Sequence, residues 1–296
     1  MTNLDAKSDF QPVDSAGEAP KGIATTWASI RAEQAGAVLH ITLNRPESRN
    51  AMSLHMVAEL QKVLRAAEGT AGTPNAVRVV VLRGAGGHFC AGADLKDMAG
   101  ARMRSMQKAP GAPDPIAEVN AEFGRLCVAY AQTPLALVAV LEGTVMGGGF
   151  GLACVADVVI ASDTAVFRLP ETSLGVVPAQ IAPFLVERLG YSQAKRLAVT
   201  GGRLDAASAL ALGLVHQITT TDGLQTALDK VLSDILACAP GALAATKALM
   251  QRARFAPAHE WVADAAAVFA QSAQGSEGIE GMTAFIQKRK PNWTLT

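Results

Sequence analysis

Residues 142–153 read EGTVMGGGFGLA and directly follow the apolar run Leu135–Leu141. A continuous apolar run of this length predicts a strand that is buried on both faces of a sheet. The glycines after it allow the backbone to turn sharply and to approach a ligand closely. The helix that we predict next begins with amides that have no partner inside the helix. The stretch therefore predicts an α/β fold in which a strand, a glycine turn and a helix meet at one corner.

A second junction of the same kind lies upstream. Residues 88–96 read HFCAGADLK, and they follow the apolar run Val77–Leu82 and the glycine-rich loop Gly84–Gly87. Two such junctions on one sheet can present two converging backbone N–H groups. An oxyanion hole needs donors of this kind, held in place before the charge develops. A single glycine turn is more often only a turn, so the prediction of a catalytic site depends on both junctions together.

A third segment supplies an acidic side chain. Residues 167–175 read FRLPETSLG, and they place Glu171 in apolar surroundings just after a short predicted strand. Partial burial would raise the pKa of this carboxyl group and make it a usable general acid or base. An exposed or helix-capping glutamate is an equally open interpretation on spacing alone.

The chain divides into three predicted regions. We predict a flexible tail over 1–24, a β/α core that carries the active site over 25–219, and an all-helical region over 220–296. Residues 99–115 show no clean period and are predicted to be a loop or lid. Asp222, with Gln225 three residues later, is a candidate cap for the first C-terminal helix. The predicted strands are Thr26–Gln34, Val38–Leu43, Val77–Leu82, Leu135–Leu141, Val158–Ala161 and Ala165–Leu169. The predicted helices include 179–189, 192–199, 206–212, 223–237, 241–252, 258–273 and 275–288, after two amphipathic stripes at 56–67 and 116–130.

The charge balance argues against two classes of partner. The 296 residues carry 26 Lys+Arg and 26 Asp+Glu, for a net charge of zero. A protein that binds nucleic acid or an anionic membrane usually needs a basic surplus, so neither partner is expected. The least polar stretch is interrupted by Glu142 and Asp157, and the piece between them is shorter than the roughly 20 residues of a membrane-spanning helix.

The remaining composition favours a cytoplasmic protein without a metal site. Cys90, Cys127, Cys154 and Cys238 are too widely spaced for a zinc ribbon or a disulfide framework, and free thiols fit a reducing compartment. The five histidines show no ligand spacing. The N-terminal residues lack the pattern of a secretory signal. The glycine run lacks the third glycine of a dinucleotide-binding fingerprint, and no Gly-x-Ser-x-Gly motif occurs.

The motifs together resemble the enoyl-CoA hydratase/isomerase (crotonase) family over about residues 25–293. The resemblance rests on LNRP at 43–46, NA at 50–51, FCAGADL at 89–95, GGG at 147–149, PE at 170–171 and the ending from EG at 280–281 to KRKP at 288–291. It implies a crotonase-like spiral of repeated ββα turns and a C-terminal helical trimerisation region. It also implies trimers or dimers of trimers, and an acyl-CoA thioester substrate. Coenzyme A is then part of the substrate, and no separate cofactor is expected.

The resemblance assigns roles to individual residues. It places the oxyanion hole at the backbone N–H groups of Ala93 and Gly148, and it makes Glu171 the catalytic acid or base. A basic C-terminus in this family can serve a neighbouring subunit's phosphates. The residues implied in coenzyme A binding are Arg45, Arg49, Ala91, Gly92, Asp94, Leu95, Lys96 and Lys288.

One departure from the family pattern leaves the reaction open. Typical hydratases carry a second glutamate, which falls on Gly151 here. One interpretation is a hydratase that adds water with Glu171, with Ser173 or Gln180 orienting the water. The alternative is a Δ3–Δ2 enoyl-CoA isomerase that uses Glu171 alone, and a third is a non-catalytic binding protein of this fold. Residues 169–184 are similar to hydratases of branched glutaconyl-type CoA esters, which favours hydration.

Overall fold

The computed structural model describes residue 23 and residues 27–294. The tail predicted over 1–24 lies outside these residues, except for Ile23, which is buried. The strands are β1 Ile30–Ala35, β2 Val38–Leu43, β3 Val79–Gly84, β4 Ala136–Leu141, β5 Thr144–Met146, β6 Val158–Ser162, β7 Val166–Arg168, β8 Arg203–Asp205 and β9 Gln217–Thr219. The α-helices are α1 Leu54–Glu68, α2 Leu95–Met106, α3 Pro115–Gln132, α4 Gly148–Val155, α5 Ala182–Thr200, α6 Ala206–Ala211, α7 Leu224–Leu236, α8 Pro240–Ala253, α9 Val262–Gln274 and α10 Ser276–Ile286.

The larger sheet has six strands in the order β1–β2–β3–β4–β6–β9. β1 and β2 form an antiparallel hairpin, and the other neighbours are parallel. Every residue of β4 is buried, as its continuous apolar run predicts. Because β3 and β4 are parallel neighbours, their carboxyl ends meet at the same edge of the sheet. The two glycine junctions follow those ends, so the topology brings them together.

The smaller sheet explains the spiral. It pairs β5 with β7 in parallel and β7 with β8 in antiparallel orientation. β5 follows β4 after a short turn and leads into α4, and β7 follows β6 in the same way and leads on to α5. These two turns of the chain therefore pass through the larger sheet, the smaller sheet and a helix. This confirms the predicted α/β spiral of ββα turns followed by a helical C-terminal region.

The predicted loop over 99–115 is wrong for its first half. Residues 95–106 form α2, which Asp94 caps by accepting a hydrogen bond from the Lys96 N–H at 2.8 Å. Ala101 is the one residue of this helix that is fully buried. A helix with so narrow a buried face carries almost no periodic signal, which is why the sequence pattern missed it.

Two other helix predictions need comment. α5 contains Gly190 at φ 70° and ψ 156°, so it consists of two helical pieces, close to the two helices predicted over 179–189 and 192–199. The predicted Asp222 cap is wrong, because Gly223 occupies the N-cap of α7 and makes no side-chain bond. Gln225 instead donates to Asp229 one turn further along the helix.

The C-terminal helices differ from the core in what they expose. α7 packs against the larger sheet through Leu224, Ala227 and Leu228, whereas α8 and α9 contain no fully buried residue. In the part of the chain that the structure describes, no single helix has the length and apolarity to cross a membrane; the bent pair Thr221–Leu236 and Pro240–Ala253 meets that test together, by length and composition only. The large apolar side chains exposed on or next to α8–α10 are Met250, Phe255, Val262, Phe269, Ile279, Met282, Phe285 and Ile286.

Candidate active site

The corner that follows β3 is built around Ala93. Ala93 and Met52 form an isolated parallel bridge. The Met52 N–H donates to the Gly92 carbonyl oxygen at 2.7 Å, and the Asp94 N–H donates to the Met52 carbonyl oxygen at 3.0 Å. Because neighbouring N–H groups of an extended chain point to opposite sides, the Ala93 N–H points away from Met52. Gly92, at φ 95°, lies so close to Met146 that a Cβ would be 3.2 Å from its carbonyl oxygen.

The corner that follows β4 is built around Gly148. Gly147 turns the chain at φ 49°, and its N–H donates to the Arg168 carbonyl oxygen at 3.1 Å. Gly148 is then the first residue of α4. The first N–H groups of a helix have no partner inside it, so the Gly148 N–H is available to a ligand.

Backbone hydrogen bonds hold the two corners side by side. The Cys90 N–H donates to the Thr144 carbonyl oxygen, and the Met146 N–H donates to the Cys90 carbonyl oxygen, both at 2.9 Å. These bonds join the chain just before Ala93 to the chain just before Gly148. The segments that carry Ala93 and Gly148 are therefore adjacent, as an oxyanion hole built from their two amides would require.

Glu171 lies next to the Gly148 corner. It begins the short 3-10 helix Glu171–Leu174 after β7, and its Oε1 is 3.2 Å from the position that a Cβ on Gly147 would occupy. Its Oε2 is buried and has no hydrogen-bond partner among the described residues. Burial raises the pKa of Glu171, and a smaller effect from its own backbone lowers it. A carboxyl group whose pKa is raised in this way is a better proton acceptor and donor for acid–base chemistry than an exposed glutamate.

One cavity of about 690 Å³ brings these groups together. Ala93, Gly148 and Glu171 all line it, as the sequence prediction requires. Most of the remaining wall is apolar and comes from α1, α2, α3 and the segment before α5. The apolar lining residues include Met52, Leu54, Val57, Met98, Ile116, Val119, Phe123, Val176, Val177 and Ile181.

The other carboxylates of the cavity wall are already hydrogen-bonded. Asp94 accepts from Arg45 at 2.7 Å, and Asp97 accepts from the Leu54 N–H at 2.7 Å. Asp114 accepts from the Ile116 N–H at 2.9 Å and so caps α3. Among the described residues of this wall, Glu171 is therefore the carboxylate with a buried oxygen that lacks a hydrogen-bond partner. Among the described residues, no group of three His, Cys, Asp or Glu side chains is arranged to hold a metal ion.

The position of the missing glutamate is filled by apolar side chains. A Cβ on Gly151 would lie 2.3 Å from Ile181 Cγ2 and 3.5 Å from Phe123 Cζ. Contacts as short as the first do not occur between real side chains, so a larger residue at this position would have to displace Ile181. The glycine at 151 is thus matched to its neighbours, and no carboxylate can replace it without repacking.

Two amides supply the polar part of the wall. Gln180 donates from Nε2 to Asn120 Oδ1 at 2.9 Å, and both residues line the cavity. Gln180 lies against Gly124, where a Cβ would be 2.1 Å from its Oε1. Ser173, the other predicted water ligand, donates to the Pro170 carbonyl oxygen at 2.6 Å and is exposed outside the cavity wall.

Sequence reasoning missed Asn120 and Phe123. Both lie on α3, where Asn120 is four residues after Ile116 and three before Phe123. A polar residue within an otherwise apolar helical stripe was the available signal. Phe123 gave none, because a core aromatic and a cavity-lining aromatic have the same pattern.

The residues implied in coenzyme A binding fall into two groups. Leu95 is 78% exposed beside the cavity mouth, Lys96 and Arg49 are also exposed, and Gly92 and Asp94 belong to the Ala93 corner. The Ala91 N–H donates to the Arg49 carbonyl oxygen at 2.9 Å. Arg45 and Lys288 form the second group: Arg45 is bonded to Asp94, and Lys288 follows α10 at φ 53°. Of the residues implied in coenzyme A binding, Asp94 is the one that lines the cavity.

Similar proteins are known for nearly the whole chain. The family model described as enoyl-CoA hydratase/isomerase matches residues 33–295. Pseudomonas aeruginosa AtuE is 50% identical with a TM-score of 0.84, over 90% of this chain and 100% of that one. An enoyl-CoA hydratase/isomerase from Marinobacter aquaeolei is 48% identical with a TM-score of 0.84, over 90% and 99% of the two chains. The 2,3-dehydroadipyl-CoA hydratase of Escherichia coli is 31% identical over 86% of this chain and 94% of its own length. The protein therefore belongs to the enoyl-CoA hydratase/isomerase family.

Proposed function

We propose that the protein is an enoyl-CoA hydratase that adds water to a 2-enoyl-CoA thioester. The observation that carries the proposal is the unpaired, buried Oε2 of Glu171 in the cavity that Ala93 and Gly148 also line. A thioester carbonyl oxygen between the two amides would place the acyl chain against the apolar wall. The names of the hydratase relatives support hydration as the reaction.

The groups of the cavity account for each atom of this reaction. Glu171 removes a proton from water as the water oxygen bonds to C3 of the enoyl group. The C2–C3 double bond then becomes a thioester enolate, whose oxygen accepts hydrogen bonds from the Ala93 and Gly148 N–H groups. A donor of this kind is worth about 2.7–4 kcal/mol in acyl transfer. Glu171 finally returns the proton to C2, so one molecule of water has been added and the carboxylate is restored.

Water needs a second polar partner, and the amide pair supplies it. Asn120 and Gln180 are the uncharged polar side chains of the cavity wall. Their mutual hydrogen bond leaves amide N–H groups and a carbonyl oxygen that can hold water. We propose that this pair does the orienting work that the absent carboxylate at Gly151 does not do.

The runner-up function is a Δ3–Δ2 enoyl-CoA isomerase. The packing of Ile181 and Phe123 over Gly151 favours it, because an apolar wall at this point suits a reaction without water. Glu171 would then remove a proton from C2 of a 3-enoyl-CoA and return it to C4, through the same enolate. A non-catalytic binding protein has no use for an unpaired buried carboxylate, which is costly unless it serves chemistry.

One experiment separates these functions. The full chain is incubated with 2-enoyl and 3-enoyl CoA esters, including a branched glutaconyl-type ester, in heavy-oxygen water. A hydratase gives a product that is heavier by one labelled water, whereas an isomerase moves the double bond without taking up label. Glu171→Gln is the matched control, since it removes the base and keeps the shape. Binding of coenzyme A esters without either product would contradict both enzyme proposals.

We also propose that the protein assembles into trimers or dimers of trimers through its helical region, 220–296. The apolar side chains exposed around α8–α10 support this, since exposed patches of that kind commonly mark interfaces. Sedimentation of the purified chain tests the assembly, and a monomer at micromolar concentration would contradict it.

We place the protein in the cytoplasm, because Cys90, Cys127 and Cys154 are buried free thiols.

A further inference from the structure

The loop that precedes α1 is hydrogen-bonded to the Ala93 corner through Arg45. Arg45 Nη1 donates to Asp94 Oδ2 and to the Ala51 carbonyl oxygen, both at 2.7 Å. The other oxygen of Asp94 accepts from the Lys96 N–H and so caps α2. Both side chains of the ion pair are largely buried, with 23% of Arg45 and 10% of Asp94 exposed. The guanidinium group of Arg45 is therefore held within the protein by these two bonds.

Asn50 fastens the same loop at a second point. It is fully buried at φ 57°, a conformation that few residues other than glycine adopt. Its side chain accepts from the Arg45 N–H at 2.9 Å and donates to the carbonyl oxygens of Ala85 and His88 at 2.9 and 2.7 Å. The loop is thus tied at Ala85 and His88 to the chain that leads into the Ala93 corner.

The direction of the Ala93 N–H depends on these contacts. Met52 bonds to the backbone on both sides of Ala93, and Asp94 is the next residue along the chain. An ion pair that fixes the Asp94 carboxylate therefore also fixes the peptide plane beside the oxyanion donor. Catalytic hydrogen-bond donors must be held to within about 0.5 Å and 10–20° of their working geometry.

We propose that the Arg45–Asp94 ion pair positions the Ala93 N–H in the oxyanion hole, so that Arg45 is a positioning residue and not a ligand of coenzyme A phosphates. This replaces the role that the family resemblance suggests for Arg45. It rests on the proposed function only in requiring that a thioester carbonyl be polarised by the Ala93 corner. Arg49, four residues later and exposed, keeps the phosphate role as a prediction.

The test compares Arg45→Met and Asp94→Asn with Arg49→Met. Each full-length variant is assayed with an enoyl-CoA and with the matching pantetheine thioester, which lacks all the phosphates. We expect the Arg45 and Asp94 variants to lose at least tenfold in kcat with both thioesters and to change little in KM. Arg49→Met should raise KM for the CoA ester alone. A KM effect of Arg45→Met that disappears with the pantetheine thioester would overturn the proposal.

A second readout does not depend on turnover. The carbonyl stretching frequency of a bound, non-reacting acyl-CoA falls when the oxyanion donors polarise the bond. We expect this shift to shrink in Arg45→Met and Asp94→Asn and to persist in Arg49→Met. An unchanged shift in both ion-pair variants overturns the proposal even if the wild type hydrates its substrate. A shift that shrinks as expected supports it even if the wild type catalyses another reaction.

The variants differ in their risk of misfolding. Asp94→Asn keeps a good helix cap and removes only the charge, and Arg45→Lys keeps the charge without the guanidinium. Melting curves show whether each variant is folded. If Arg45→Met does not fold, Asp94→Asn and Arg45→Lys decide, and a full carbonyl shift in both contradicts the proposal.

Discussion

The two sides of the cavity floor differ sharply, although they come from successive ββα turns. On the side of β7, Glu171 presents an unpaired carboxylate oxygen in a buried position. On the side of α4, Gly151 presents no side chain, and Ile181 and Phe123 cover its Cα. In the function that we propose, the first side exchanges protons with the substrate, and the second excludes water or packs against the acyl chain.

The difference shows that no empty space is left at the position of the family's second glutamate. If Gly151 had merely replaced a glutamate, the space left behind would be a hole. Instead Ile181 occupies it, and Gln180 lies beside it against Gly124 with its amide bonded to Asn120. The segment that carries residues 180 and 181 thus fills this volume and places an amide beside it.

Removing the carboxylate of Glu171 is expected to have the strongest effect on the reaction. Glu171→Gln keeps the size of the side chain but cannot accept a proton. We expect kcat to fall by about 10²–10⁴, the usual contribution of a general acid–base group, with little change in KM. Steady-state kinetics with the accepted enoyl-CoA measure this. A loss of less than threefold would remove Glu171 from the mechanism.

Restoring the family's second glutamate is expected to fail. In Gly151→Glu, the new Cβ would collide with Ile181, so the variant is overpacked and should lose about 1–3 kcal/mol of unfolding free energy. We expect no gain in hydration rate. Chemical denaturation and kinetics measure the two effects.

The matched control adds Ile181→Ala to relieve the collision. We expect the double variant Gly151→Glu with Ile181→Ala to be less destabilised than the sum of the two single changes, because the two side chains share one space. A Gly151→Glu enzyme that is as stable as the wild type and faster would show that the α4 side is poised for a carboxylate.

Variants of the Asn120–Gln180 amide pair test whether the apolar side of the cavity also orients water. Gln180→Leu keeps the volume and removes both hydrogen-bonding groups, and Gly124→Ala pushes the intact Gln180 side chain away from α3. We expect each to lower the hydration kcat about tenfold, equivalent to roughly 1.4 kcal/mol. Isomerisation, which needs no water, should be unaffected.

The control for these two variants is Val128→Ala, an exposed position on α3, the helix that carries Gly124. It should change neither rate nor stability by more than about 0.5 kcal/mol. Equal losses in hydration and isomerisation for Gln180→Leu would point to a general packing defect and contradict the water-orienting role.

The sequence predicted the groups that follow from local pattern. The apolar runs before the two glycine stretches indicated buried strands, and the parallel sheet places Ala93 and Gly148 at neighbouring strand ends. Glu171 was singled out because it follows a short predicted strand in apolar surroundings, and the family resemblance then suggested its role as acid or base. These inferences need only a few consecutive residues each.

What the sequence did not predict depends on contacts between distant residues. The bond from Arg45 to Asp94 spans 49 positions, and no local pattern distinguishes a buried arginine from a phosphate ligand. The fit of Ile181 over Gly151 is equally invisible, because a glycine in a glycine-rich run already has a sufficient local reason. α2 was missed since its one fully buried residue leaves no stripe to recognise.

The smallest expected effect concerns stability and its pH dependence at the Glu171 side. Because burial raises the pKa of Glu171 in the folded state, the folded protein holds this proton more tightly than the unfolded chain. Wild-type stability is therefore lost as the pH rises from the usual glutamate value of 4.5 through the raised folded-state pKa. Glu171→Gln has no proton to lose there. Its melting temperature should match the wild type at low pH and exceed it at neutral pH.

Melting curves of both proteins between pH 4 and 8 measure this difference, with Asp234→Asn, an exposed position on α7, as the control. The control should follow the wild type at every pH. If Glu171→Gln were instead less stable at neutral pH, the carboxylate would be satisfied by a favourable partner in the folded state. The β7 side would then present no unpaired carboxylate, just as the α4 side presents none, and the functional difference between them would disappear.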